Sequence, residues 1–218
     1  MLLTALQAQL AALYEAPIEH QVMDFLVTDA GVAGALEPQQ KPRSNSERLL
    51  FRQSTDALDI TLYIDQRVLA SLATSNPYVR LDRHNLNDFL IALEGVSHFH
   101  YLIWNAIHAR QVTQLEMELQ AEVDKFVTAT FLLKQQGTID DSDEFHDSLF
   151  TDVSFASDND EQTERRYREA NHYAAKYCRS LSRRFPAQHR QPMFINELRR
   201  FYRLSQNEKI RSIEKTLS

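Results

Sequence analysis

The clearest alternation in the chain is LDITLYID at residues 58–65, where Leu58, Ile60, Leu62 and Ile64 alternate with Asp59, Thr61, Tyr63 and Asp65. A period of two predicts a half-buried strand. RLLFRQ precedes it across the turn-like STDA, so an antiparallel hairpin is expected near 48–65. HQVMDFLVTD, from His20, has the composition of a third strand. Its neighbour LEPQQKPRSNS, residues 36–46, is polar with two prolines and reads as a loop.

Elsewhere the period is helical. Leu3, Leu6, Leu10 and Leu13 mark a short amphipathic helix at the start. An almost wholly apolar helix is predicted over about 86–109, and a second follows at once. Thr113 and Glu116 have capping-box spacing there, Val112 is placed for the hydrophobic staple, and Leu115, Leu119, Val123, Phe126 and Leu133 form its buried stripe. Helices are also predicted over about 161–184 and 193–204. Ser205 and Glu208 repeat the capping-box spacing before a last helix carrying Ile210, Ile213 and Leu217. Between them lies an acidic segment, about 136–160, with the composition of a mobile loop or loosely docked lid.

These elements predict an α+β fold, predominantly helical, with several helices packed on a small antiparallel sheet of two or three strands. Residues 1–218 are expected to form a single compact domain, since a chain of this length buries roughly 70% of its unfolded surface and needs no staple. Only four glycines and six prolines fit long helices with few turns. The single cysteine, Cys178, excludes an internal disulfide and suggests a reducing, cytoplasmic setting. No apolar run approaches the roughly 20 residues that span a bilayer, so no membrane is expected.

Charge is unevenly placed. Residues 161–218 hold 14 Lys/Arg against 6 Asp/Glu, and residues 1–160 hold 10 against 24. The first pattern implies a basic surface that could meet phosphates or a partner, or two parts that attract each other.

Two groups of side chains carry candidate chemistry. On the helix 86–109, Glu94, His98 and Tyr101 share a polar stripe with Asn87, Ile91, Asn105 and His108. That stripe has no Lys or Arg, and Glu94 and His98 are i, i+4 neighbours. They are candidates for acid/base work, or for two ligands to a divalent metal with Glu118 and Glu122 of the next helix. The same pair could equally be a polar contact within the core. No cofactor is specified by this pattern.

The second group is basic. Arg165, His172, Lys176, Arg179 and Arg183 lie along one side of the helix 161–184, and Arg199, Arg200 and Arg203 stand beside Phe201 and Tyr202. This is a candidate binding surface for a protein partner or a second copy. Nucleic acid is possible but not favoured, because the whole-chain pI is about 5.7. Arg166 and His172 also have a spacing that resembles the active-site motif of the HEPN ribonuclease superfamily, over seven residues; the resemblance implies an all-helical, dimeric ribonuclease.

The sequence lacks a phosphate-binding G-x-x-x-x-G-K-[ST], a dinucleotide G-x-G-x-x-G, an H-E-x-x-H and a G-x-S-x-G. The expectation is therefore a non-enzymatic interaction or regulatory protein using its basic, aromatic-rich C-terminal helices. The alternative is a small-pocket enzyme or ligand-binding protein centred on Glu94 and His98.

Overall fold

A computed structural model describes residues 2–36, 46–53, 58–139, 142–151, 161–186 and 192–215. In chain order the elements are α1 (Leu2–Tyr14), a 3-10 turn (Val22–Phe25), β1 (Leu26–Val27), α2 (Ala30–Leu36), β2 (Glu47–Gln53), β3 (Leu58–Ile64), α3 (Gln66–Thr74), α4 (Leu86–Ile107), α5 (Gln114–Gln135), α6 (Ser142–Thr151), α7 (Glu161–Arg184), α8 (Pro192–Tyr202) and α9 (Gln206–Lys215). The fold is α+β and predominantly helical, as the periodicities predict.

The hairpin is present: β2 and β3 pair antiparallel from Glu47↔Ile64 to Gln53↔Leu58. Its connecting turn, STDA, lies outside the described residues. The third strand is shorter than expected and joins differently. β1 has two residues and runs parallel to β3, so the sheet is mixed, in the order β1-β3-β2. Much of HQVMDFLVTD is the 3-10 turn instead, with Val22 fully buried.

Sheet, α4, α5 and α7 pack in that succession, while α1 and α3 lie against α4. The central pair is buried almost all round. In α4 every residue from Ala92 to Asn105 is buried except Glu94. In α5 the same holds from Glu116 to Thr130 except for Glu122. A helix with no solvent face belongs in the core of a globular protein, and no helix among the described residues is long and apolar enough to cross a membrane.

Local signals end the helices as the sequence leads one to expect. Thr113 Oγ1 accepts from the Glu116 amide at 3.0 Å, and Ser205 N and Oγ both donate to Glu208. The C-terminus of α5 closes on Gly137 at φ 65°, with Thr138 N bonded to Leu133 O. With so few glycines, two other helices use residues that pay a steric penalty in the left-handed region: Glu15 after α1 and Ala109 after α4.

The acidic stretch contributes more than a loop. Its apolar residues form α6, which buries Phe145, His146 and Phe150 near Phe126 of α5. Residues 140–141 and 152–160 of that stretch, and 37–45 of the polar loop, lie outside the described residues.

Candidate functional site

His98 stands at the centre of a cluster drawn from four elements. Its Nδ1 is 3.4 Å from Glu47 Oε1 of β2, and its Nε2 is 3.4 Å from Glu118 Oε2 of α5. One turn back on α4, Glu94 accepts from Lys125 Nζ at 3.1 Å, and Lys125 also meets Glu122 at 2.5 Å. From α7, Arg166 Nε reaches to 4.0 Å of Glu118 Oε1. Glu47, Glu94 and His98 each offer a ligand atom lying within 4.8 Å of the others.

The folding logic of the cluster begins with Gly95. A Cβ built there would lie 2.9 Å from Glu47 Cγ and 3.1 Å from Leu62 Cδ1. The missing side chain therefore lets β2 and β3 approach α4, and lets Glu47 pass beside it to His98. On α5, Glu118, Glu122 and Lys125 follow i, i+4 and i+7 spacing, so one helix face supplies three of the charges.

The electrostatics are those of crowded, poorly hydrated anions. Burial pushes the Glu47 carboxyl up from its ordinary range, against the pull of His98. Glu122 is likewise raised by burial, with Glu94 and Glu118 adding to it and Lys125 opposing. Burial also acts on Glu94, but Lys125 and His98 outweigh it and hold that carboxyl below its usual value. For His98 burial favours the neutral ring, and Glu118 with Glu47 overcome it to raise the imidazole well above its ordinary value. Lys125 is raised by its two carboxylates despite its burial.

The cluster is not sealed. Glu94 and Glu122, the two exceptions on the central helices, keep 22% and 19% of their side-chain surface exposed, against 8% for His98. They mark a narrow opening over a buried imidazole whose Nε2 makes no geometrically sound hydrogen bond. That arrangement can hold a proton between carboxylates, or replace it with a cation.

The sequence-level candidates divide accordingly. Glu94, His98, Glu118 and Glu122 are brought together. Tyr101 belongs elsewhere: its hydroxyl donates to Glu116 Oε1 at 2.6 Å, and its ring meets Tyr202 edge-on. Glu47 was not anticipated, and neither was Lys125. A glycine directly after Glu94 in an otherwise bulky helix was the one available sign of close approach.

The basic surface also divides. Arg199 donates to Leu13 O and pairs with Glu15, and Arg203 donates to Glu15 O and Arg199 O. Arg200 is engaged by Glu197 and Ser212. Arg199 and Arg203 fasten α8 to the carbonyls at the end of α1, and Arg200 ties α8 to Ser212 of α9. Arg165, His172 and Arg183 are exposed, and Lys176 is half-buried. Arg179 is held by Asp143 and Asp147 of α6.

Arg166 and His172 have different partners: the arginine turns towards Glu118, whereas His172 is exposed beside the Tyr173 ring. The mixed sheet also departs from the all-helical architecture that the ribonuclease resemblance implies.

No protein family, curated protein or solved structure matches the chain, so its functional reading rests on these side chains.

Proposed function

We propose that this chain binds one divalent transition-metal ion, with Glu47, Glu94 and His98 as ligands and Glu118 orienting the imidazole from its other ring nitrogen. The observation that carries this reading is the convergence of those three ligand atoms within 4.8 Å beneath the opening at Glu94 and Glu122. An imidazole with several carboxylates suits zinc, manganese or iron rather than the all-oxygen preference of calcium or magnesium.

Charge balance supports the same reading. Glu47, Glu94, Glu118 and Glu122 face His98, Lys125 and Arg166. With His98 protonated, four negative charges meet three positive ones. Exchanging that proton for a dication makes the group neutral, which relieves buried anions that burial otherwise penalises. Lys125 already neutralises the outer carboxylates, so the group favours one ion rather than two. A metal so placed would act as a Lewis acid at the opening.

The test is calorimetric titration of chelator-treated protein with Zn²⁺ and with Mn²⁺. One ion per chain is expected, with affinity falling at least tenfold in His98→Ala and in Glu47→Gln. Absence of binding, or binding indifferent to both substitutions, would overturn the reading.

A second reading is contact with a protein partner or a second copy through the outer face of α7. It is favoured by the exposure of Arg165, His172 and Arg183 along one helix. Sedimentation velocity on the wild type and on Arg165→Glu tests it for self-association.

A further inference from the structure

We infer that the groove between α6 and α7, lined by His146, Lys176, Arg179, Ser180, Arg183 and Arg184, is a binding site for a compact, doubly charged phosphate group. The groove encloses about 340 Å³. Its lining follows from helix geometry: positions 176, 179, 180, 183 and 184 recur every three or four residues and so share one side of α7. The facing wall is fixed by His146, whose Nε2 lies 2.8 Å from the carbonyl of Ala175 on α7.

The charges in the groove can be accounted for one by one. Arg179 is matched by Asp143 and Asp147 on the α6 wall. Arg184 lies 3.6 Å from Glu197 of α8. Lys176 and Arg183 have no carboxylate partner among the described residues, although the chain as a whole is acidic. Because Arg179 meets two carboxylates and Glu197 is shared with Arg200, the five cations Lys176, Arg179, Arg183, Arg184 and Arg200 stand against three carboxylates, and the net double positive charge calls for a dianion. A phosphate monoester carries close to two negative charges at neutral pH, and its oxygens fit the guanidinium fork.

The negative end of α7 opposes an anion at this place, but that is a partial charge against full ones. It also supplies the ordinary reason for basic residues in a last turn. What that reason does not supply is the concave wall from α6. Asp143 and Asp147, in turn, disfavour an extended polyanion along α6, so a compact phosphate fits better than a nucleic-acid backbone.

This site is separate from the metal cluster, and its test is run with chelator present so that the two stand or fall apart. Inorganic phosphate is titrated into the full chain by calorimetry at pH 8, where it is the dianion. Binding of one molecule is expected, weakened at least tenfold in the double variant Lys176→Gln/Arg183→Gln. It should be retained in Lys176→Arg/Arg183→Lys and in Arg165→Gln, which lies outside the groove. Parallel titrations with AMP and with a phosphoserine peptide show whether the phosphate is offered on a small molecule or on a side chain. No heat from any of the three, or equal weakening by Arg165→Gln, overturns the proposal. So does single-stranded RNA that displaces phosphate through the same two side chains.

Discussion

Gly95 and Glu47 occupy what would otherwise be the same space: a Cβ at Gly95 would lie 2.9 Å from Glu47 Cγ and 3.3 Å from its Oε1. The glycine of the buried helix thus sets the position of a carboxylate on the strand packed against it. Gly95→Ala should cost about 1–3 kcal/mol through overpacking. It should also weaken Zn²⁺ binding at least tenfold, because Glu47 must turn away from His98. Urea unfolding and metal titration on one preparation check both; unchanged metal affinity would separate Glu47 from the site.

Lys125 holds two carboxylates, Glu94 and Glu122, that otherwise face each other at the opening. Removing it leaves uncompensated negative charge in a poorly hydrated place. Lys125→Met is therefore expected to destabilise the fold by about 3–5 kcal/mol. The denaturation midpoint at neutral pH and low salt measures it.

Lys209 presents the opposite case. It is fully buried over the rings of Tyr101 and Phe201, and its Nζ donates to Gln120 Oε1 at 2.7 Å. Burial pushes its ammonium down to about 7, against the pull of Glu116 and Asp124. Between that value and the unfolded value near 10.4 the unfolded chain binds more protons, so this group makes stability rise with pH. Below about pH 7 its cost is fully present. Lys209→Met should raise stability at neutral pH by about 1–4 kcal/mol and flatten that rise. Thermal melts from pH 7 to 10 on both proteins show it.

On the acid side the sensitive group is His100, which is buried with Nδ1 3.0 Å from the Tyr202 hydroxyl. Burial lowers its imidazole to about 4, with a backbone bond at Ala16 opposing. The unfolded chain takes up this proton first as pH falls below about 6.5, so folded stability declines towards pH 4. The loss attributable to His100 is about 1–3 kcal/mol. In His100→Gln the difference between pH 7 and pH 4.5, followed by urea unfolding, should shrink accordingly.

Ala109 closes α4 at φ 52°, with Arg110 N bonded to Asn105 O. An L side chain is strained there and glycine is not. Ala109→Gly is expected to stabilise the protein by about 1 kcal/mol, since the side chain is exposed and nothing packed is lost. A lower melting temperature would count against this geometry.

The elements legible in the sequence are those governed by near neighbours. Alternation in Leu58–Ile64 and the three-and-four spacing of α4, α5 and α7 follow from side-chain direction within one element. The caps at Thr113 and Ser205 involve partners three residues away. What local pattern placed wrongly or not at all depends on distant chain. β1 joins the sheet by pairing Leu26 with Leu62, and the apolar residues of the acidic stretch become α6 only because α7 and Phe126 cover them. Lys209, next to the expected core residue Ile210, is the one that is fully buried.

The candidate site divides along the same line. Periodicity alone determined that Glu94 and His98 share a side of a nearly apolar helix, and that Glu118 and Glu122 share a side of the next. Only the tertiary structure brought Glu47 to His98 across 51 positions, turned Tyr101 away to Glu116, and set Lys125 between two carboxylates. Helical and strand periods are set by backbone geometry within a few residues. Which charge faces which is decided by the packing of whole elements, and that depends on close approaches such as the one at Gly95.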